Sequence, residues 1–344
     1  MFFVPSPVVS SLTGDLSDYP EGIVIPVDKP YRWTSADVIR KLKFAAIKHF
    51  GKKNLKVGHA GTLDPLATGV LLVCIGDACK RAQDLQNHDK EYIARIRFGA
   101  TTPSYDLEKE VDRTFPFEHI TADTVRDVLP AFLGEQEQVA PLFSAKSVDG
   151  VRAYELARKL YKSVIPSEVE GSPFDAAALD TLQRNRIMIS ELELLDFVAA
   201  GGTLSPESVA TLGRPKGQIS PLGDNRGDKT FSRDGRGPLK SGLPDETWEG
   251  PKRSEGDSGE RVLPAAAVST ASSRIHVADT SALGLPEATI RITCSKGTYI
   301  RAFARDLGEA LDSGAHLSGL VRSRSGDFRL ENALFLDQAL ALLQ

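Results

Sequence analysis

Residues 58–69 constrain the chain more than any other stretch, and they read GHAGTLDPLATG. Pro65 disfavours the α-helical conformation for the residue before it, so Asp64 is predicted to lie on a turn and not inside a helix. The three glycines of the stretch lack a Cβ atom, so the backbone can bend sharply and a bulky partner can approach closely. In an isolated Asp–Pro turn, the Asp most often bonds to nearby backbone amides. The whole string, with an imidazole and three glycines around the carboxylate, is more specific than that dipeptide.

The stretch resembles the catalytic loop of the TruB family of tRNA pseudouridine-55 synthases, whose pattern is close to G-H-x-G-x-L-D-P-x-A-x-G. In that family the Asp of the pattern is the nucleophile that isomerises a uridine within RNA. The resemblance therefore implies that Asp64 is the nucleophile. It also implies that His59 sits beside the displaced nucleotide, in the space that the nucleotide leaves. A structural histidine with satisfied hydrogen bonds in a turn is the alternative for His59.

Bulk composition bounds the class of protein. The chain has 344 residues, of which 41% are hydrophobic and 26% are charged, enough for one large domain or two modest ones. No apolar run approaches the roughly 20 residues that a membrane-spanning helix needs, and the N-terminus lacks the pattern of a secretory signal. The three cysteines give no credible disulfide framework or zinc cluster. We therefore expect a cytoplasmic protein with no membrane association.

The net charge of −4 does not itself suggest a nucleic-acid partner. Phosphate contacts usually come from clustered Lys and Arg side chains. A local basic face can nevertheless coexist with an acidic total charge. Evidence for RNA binding must therefore come from local sites.

Hydrophobic periodicity predicts a coarse order of elements. Residues 1–20 are expected to be a loose tail. A helix is expected to begin at Thr34 or Ser35, with Asp37 completing a loose capping box. The other expected elements are a strand over 22–30, a buried segment ending at Gly76, a short helix carrying Lys80 and Arg81, a helix over 121–133 and a strand over 186–197.

A second match to the family lies on a strand predicted over 91–99, where apolar and basic residues alternate. In the family a Lys-x-Tyr step opens this strand, which corresponds to residues 90–92 here. The resemblance implies that Tyr92 packs against the target base. A core aromatic residue at a strand end is the alternative, since Tyr favours strands.

A third match covers residues 141–158, which resemble the family's thumb-like loop that grips RNA. The family pattern places one residue between Ala and Lys, whereas Lys146 directly follows Ala145 here, so the register is blurred. We assign Lys146, Arg152 and the earlier Lys80 to RNA binding. A solvated basic face is the commoner meaning of such a charge run.

Two stretches interrupt the resemblance, at 163–184 and 199–273. The second contains twelve glycines between residues 201 and 260, many Ser and Pro residues, and charges of both signs. Such a composition cannot bury enough apolar surface to offset the entropy of ordering, so low order is predicted. We expect a single catalytic domain over 21–344 that these two insertions interrupt.

A fourth match begins at residues 293–301, which read TCSKGTYIR and join a predicted strand to a predicted helix. This step is nearly the family's own, and the match continues through 306–308 and 314–326. The resemblance implies that Arg301 is the cationic partner of the nucleophile and that Tyr299 and Leu320 border the uracil pocket. The string lacks the spacing of a nucleotide-binding P-loop. Many relatives continue into a small C-terminal RNA-binding domain of the PUA type, which we expect this chain to lack.

Taken together, the four matches imply an α+β pseudouridine synthase fold with a mixed, largely antiparallel sheet, flanking helices and a central cleft. The implied reaction is the isomerisation of uridine to pseudouridine at position 55 in the T-loop of tRNA, with the T-arm as the partner. We expect the protein to act as a monomer, although no motif bears on the oligomeric state. The chemistry requires no redox, phosphoryl or acyl step, so we expect no metal and no nucleotide cofactor. Two alternatives stay open at this stage, namely a non-catalytic RNA-binding or tRNA-folding protein on the same fold and a synthase for another RNA.

Overall fold

The computed structural model describes residues 3–5, 11–141, 147–148, 151–152, 184–202 and 275–344. At 147–148 and 151–152 only the backbone is described. The described residues belong to one compact unit made of Met1–Gln218 and Thr270–Gln344. The second unit, Ile219–Ser269, lies outside the described part of the chain.

A mixed sheet dominates the described part and comprises nine strands. The strands of the sheet are β1 (Ile23–Lys29), β2 (Val57–Ala60), β3 (Ala67–Ile75), β4 (Lys90–Phe98), β7 (Gly134–Val139), β10 (Arg184–Val198), β11 (Glu287–Cys294), β12 (Ala315–Ser325) and β13 (Phe328–Arg329). The main path of the sheet runs β1-β3-β12-β4-β11-β10-β7, with β2 paired to β3 and β13 paired to β12. Among these strands only the β3–β12 pairing is parallel, which matches the mixed, largely antiparallel sheet expected.

Two short hairpins lie outside the main sheet. One pairs β5 (Ala100–Thr101) with β6 (Arg113–Thr114), and the other pairs β8 (Ser147–Val148) with β9 (Val151–Arg152). The first hairpin follows directly from β4 and carries the chain from the end of that strand toward the loop of residues 102–112.

The helices pack against the sheet through apolar faces. The first, α1 (Ser35–His49), begins at the N-cap Thr34, whose side chain and that of Asp37 form the expected capping box. Its buried positions recur every three or four residues and share one core with the long strands. The other α-helices are α2 (Ala82–Asn87), α3 (Ala122–Val128), α4 (Ile300–Ala310) and α5 (Leu336–Ala341).

Several predicted elements are confirmed. The expected strands over 22–30, 91–99 and 186–197 correspond to β1, β4 and β10. The helix expected over 121–133 is shorter, because α3 ends at Val128 and a 3-10 turn, Leu129–Phe132, follows it. Pro130 explains the change, since proline lacks the N–H that an α-helix would use. The low order predicted for 199–273 concerns residues that lie almost entirely outside the described part.

Two expectations are wrong. The described residues of the N-terminal stretch are not loose, because Leu12 and Tyr19 belong to the core and Phe3 pairs with Ile23. The loop expected from residue 58 begins later, since Val57–Ala60 forms β2 against β3. His59 therefore lies on a strand. None of the helices in the described part has both the length and the apolar content for crossing a membrane.

Candidate functional site

The loop that carries Asp64 connects β2 to β3 and is fixed at several points. Ser35, the first residue of α1, bonds twice to Leu63: its Oγ accepts from the Leu63 amide at 3.0 Å and donates to the Leu63 carbonyl at 3.1 Å. The Asp64 carbonyl accepts from the Ala67 amide at 3.1 Å. The loop is therefore held on both sides of the carboxylate, and Asp64 lies on a turn as expected.

Lys29 ties this loop to the end of β1. The residue is buried, and its Nζ donates to the carbonyls of Trp33 at 2.6 Å, Pro30 at 3.0 Å and Pro65 at 3.2 Å. Burial lowers the pKa of the Lys29 ammonium to about 7, and the Asp64 carboxylate opposes this effect. Three carbonyl acceptors match the three donors of an ammonium group, so Lys29 fixes the turn after β1 against the Asp64 loop.

Arg301, in the first turn of α4, grips the Asp64 carboxylate with two nitrogens. Its Nε donates to Oδ2 at 2.9 Å and its Nη2 donates to Oδ1 at 3.3 Å. The Arg301 side chain is 6% exposed, whereas that of Asp64 is 39% exposed. Asp64 therefore keeps a face open to solvent while a buried guanidinium holds it in one orientation.

Further carboxylates surround the same guanidinium. Asp106 is buried, its Oδ2 lies 3.7 Å from Arg301 Nε, and its Oδ1 accepts from the Ser104 hydroxyl at 2.6 Å. Burial raises the pKa of the Asp106 carboxyl, and Arg301 opposes that rise. Burial also raises the pKa of Glu108 to about 7, with the Asp106 carboxylate adding to the effect. The Arg301 guanidinium thus lies among carboxylates, and its charge opposes the rise in pKa that burial causes at Asp106 and Glu108.

An open cleft reaches this cluster, and the empty space in the cleft is about 320 Å³ when open solvent is included. Asp64, Asp106 and Arg301 line it, together with part of β12. The other lining residues are Tyr31, Leu66, Ala67, Leu107 and the run 317–320. A carboxylate that lines a partly apolar cleft is suited to covalent chemistry on an uncharged ring.

Arg322, on β12, organises the backbone beneath the cleft. It is 1% exposed, and its guanidinium donates to the carbonyls of Val70 at 2.7 Å and Gly61 at 3.1 Å. In the parallel β3–β12 pairing Arg322 stands opposite Gly69, whose φ is +100°. A Cβ at Gly69 would lie 2.3 Å from the Arg322 carbonyl oxygen, so only glycine allows the two strands to meet here.

Three of the residues assigned from the sequence meet in the cleft, namely Asp64, Arg301 and Leu320. Tyr92 lies behind it, 9% exposed, opposite Arg322 in the β4–β12 register. His59 is half-buried on β2, and its Nδ1 has no hydrogen-bond partner among the described residues. Burial lowers the pKa of the His59 imidazole, and the Arg322 charge adds to this effect.

The remaining assigned residues lie away from the cleft or outside the description. Tyr299 is the N-cap of α4, and its backbone exchanges two hydrogen bonds with the Gln138 amide, at 2.8 and 3.1 Å. Lys80 is exposed and pairs with Asp77 at 2.9 Å. Arg152 is described only in its backbone, on β9, and Lys146 lies outside the described residues.

Sequence reasoning missed Lys29, Tyr31, Asp106 and Glu108 as site residues. The Asp-Lys-Pro string at 28–30 and the acidic loop at 106–112 were visible, but neither pattern indicates contact with residue 64. Lysine side chains are mostly exposed in proteins, so the sequence gives no reason to expect that Lys29 is buried.

Comparison with known proteins places the chain in a family. Residues 48–171 match the model described as TruB family pseudouridylate synthase (N terminal domain). A tRNA pseudouridine synthase B from Phocaeicola vulgatus is 38% identical over 320 residues, which cover 93% of this chain and 92% of that relative. The chain belongs to the TruB family.

A second relative agrees with this placement, and one solved structure is reported beside it. A tRNA pseudouridine synthase B from Flavobacterium johnsoniae is 33% identical over 318 residues, covering 92% of this chain and 94% of that relative. A chain of a solved Cbf5-Nop10-Gar1 complex is 19% identical with a TM-score of 0.45, covering 92% of this chain and 53% of that one.

The TruB family match also locates the two halves of the site. The matched region 48–171 contains the Asp64 loop and β4, whereas Arg301 lies beyond it. The contact between Asp64 and Arg301 therefore joins parts of the chain that are 237 positions apart.

Proposed function

We propose that the protein isomerises uridine to pseudouridine in tRNA, at position 55 in the T-arm, with Asp64 as the nucleophile. The observation that carries the proposal is the two-point contact of a buried Arg301 with a solvent-facing Asp64. Family membership and the relatives' name, tRNA pseudouridine synthase B, support the reaction and the class of RNA.

The chemistry needs an ionised carboxylate in a site that excludes much water. The glycosidic bond between C1′ and N1 breaks, the uracil turns, and a new bond forms between C1′ and C5. Asp64 forms a transient covalent bond to the nucleoside and is released at the end. The proton on C5 leaves to solvent and N1 gains one, so the reaction is an isomerisation with no oxidant or reductant.

In the proposal Arg301 orients the nucleophile through its two contacts with the carboxylate. Enclosure by a bound base would push a carboxylate toward its neutral form, and an adjacent cation opposes that shift. Arginine suits this role because it stays charged and its planar fork matches a carboxylate. Arg301 also donates to the Ser104 carbonyl at 3.1 Å, which fixes the guanidinium itself.

The target base must leave its stack to reach Asp64 at the bottom of a cleft. In the proposal Tyr92 packs near the uracil from behind, Leu320 borders it, and His59 stands near the vacated position. Lys80, Lys146 and Arg152 are proposed to contact RNA phosphates. We further propose that the protein acts as a monomer in the cytoplasm.

Site-specific mapping of pseudouridine tests the proposed position. Unmodified tRNA transcripts are incubated with the protein, treated with carbodiimide and read by primer extension, beside a transcript in which U55 is replaced by cytidine. We expect one primer-extension stop, caused by the modified base at position 55. The stop should disappear in the transcript that carries cytidine at this position, and an isolated T-arm stem–loop should also be modified. Stops elsewhere would assign the synthase to another uridine, and no stop in any transcript would remove the enzymatic function.

A further inference from the structure

Tyr31 is an exposed aromatic residue in the wall of the cleft. It is 48% exposed and lines the same cleft as Asp64, Asp106 and Arg301. Tyr92, the aromatic residue assigned to the uracil, is by contrast 9% exposed and does not line the cleft. The reaction as proposed gives Tyr31 no role.

The turn that presents Tyr31 is locked to the nucleophile loop. Arg32 has φ +62°, an uncommon conformation for a residue with a side chain, and its amide donates to the Pro65 carbonyl at 3.0 Å. Lys29 binds the carbonyls of Pro30 and Pro65 from the other side. The backbone strain at Arg32 is thus maintained by bonds that hold Tyr31 at a fixed place relative to Asp64.

Two guanidinium groups and one carboxylate act on Tyr31. Burial raises the pKa of the Tyr31 hydroxyl, the charges of Arg32 and Arg95 oppose that rise, and the Asp106 carboxylate adds to it. Arg95 pairs with the buried Glu287 at 3.7 Å and lies along Gly319 in the cleft wall. A Cβ at Gly319 would lie 2.9 Å from Arg95 Nε, so this glycine makes room for the guanidinium.

We propose that Tyr31 is a stacking platform for an unpaired base next to the uridine that Asp64 attacks, an inference that rests on the proposed function. Splayed bases in single-stranded RNA stack on exposed aromatic faces, and nearby arginines favour the adjoining phosphates. The backbone of the turn that carries Tyr31 is already held by hydrogen bonds to the Asp64 loop, so binding need not order that backbone.

The test compares Tyr31→Leu, which removes the aromatic face, with Tyr31→Phe, which keeps it. Phe44→Leu is the matched control, because Phe44 is 76% exposed on α1 and does not line the cleft. Rates are measured with a tRNA transcript, and RNA binding is followed with 2-aminopurine placed on either side of the target uridine.

The proposal expects Tyr31→Leu to raise KM by about 5- to 150-fold, the range for one base stacked on one aromatic ring, with little change in kcat. The 2-aminopurine emission at one flanking position should change by the same amount when the RNA binds native protein, Tyr31→Phe or Phe44→Leu. Binding to Tyr31→Leu should leave that emission unchanged. Three results would contradict the stacking role of Tyr31. They are native kinetic constants for Tyr31→Leu, equal rises in KM for Tyr31→Leu and Tyr31→Phe, and a defect of Tyr31→Leu that lowers kcat alone. A native protein that binds RNA but forms no pseudouridine would instead refute the proposed function.

Discussion

Arg301 holds Asp64 by both carboxylate oxygens, at 2.9 Å from Nε and 3.3 Å from Nη2. The same Nε lies 3.7 Å from Asp106, so one guanidinium lies between two carboxylates of different exposure. The exposed carboxylate faces the cleft, and the buried one helps to hold the guanidinium. The orientation of the Asp64 carboxylate therefore depends on the Arg301 side chain.

We predict that Arg301→Lys lowers kcat by at least about 100-fold while KM for tRNA changes little. An ammonium is a point charge and cannot hold both oxygens in the planar fork geometry, and loss of one preorganised contact to a reacting group costs on that order. Single-turnover rates at saturating tRNA measure the effect. Arg305→Lys is the control, since Arg305 lies in the same helix but pairs with Asp306. Equal losses in both variants would indicate a general effect on α4.

Glu108 is predicted to make stability depend on pH. Burial raises its pKa from 4.5 to about 7, so between these values the folded protein holds a proton that the unfolded chain has lost. Stability from this group is fully present below pH 4.5 and falls as the pH rises toward 7. Asp106, Asp64, Arg301 and Lys109 are the charged groups acting on it.

Glu108→Gln should therefore increase the free energy of unfolding at pH 8 by on the order of 1–3 kcal/mol and leave it nearly unchanged at pH 4.5. Urea denaturation at several pH values measures this. The control Glu135→Gln removes the same charge from an exposed position on β7. A pH profile of Glu108→Gln that runs parallel to the native profile would contradict the account.

Gly69→Ala should destabilise the protein by about 3 kcal/mol, because it combines an unfavourable backbone conformation with a clash between two strands. The added Cβ would meet the Arg322 backbone at 2.3 Å. Gly51→Ala is the matched variant: its φ is +61°, but nothing lies within 4 Å of the added atom, so about 1–2 kcal/mol is expected. Thermal or urea unfolding compares them, and equal costs would show that the strand contact at Gly69 is unimportant.

The sequence predicts those elements whose signals are local. The alternation of residues 91–99 predicts β4, and the capping box at Thr34 predicts the start of α1. Asp64 and Arg301 are assigned from two separate motifs, as the proposed nucleophile and its proposed partner, and the structure places them in contact.

Other features depend on long-range packing and leave no local pattern. The parallel pairing of β12 with β3 sets Arg322 opposite Gly69, and no periodicity in either segment indicates that register. In the sequence Lys29 looks like a surface lysine, whereas in the structure its Nζ donates to the Pro65 carbonyl of the Asp64 loop. Tyr31 follows Asp-Lys-Pro as an ordinary turn residue, and its exposure in the cleft becomes evident only when the turn is placed beside Asp64.

Release of tritium from C5-labelled uridine in a tRNA transcript shows whether Asp64 is the nucleophile of a tRNA uridine isomerase. We expect release by the native protein and none by Asp64→Asn, with tRNA affinity retained by the variant. Release by Asp64→Asn at the native rate would contradict the role of Asp64. Tight tRNA binding without release by either form would contradict the enzymatic function itself.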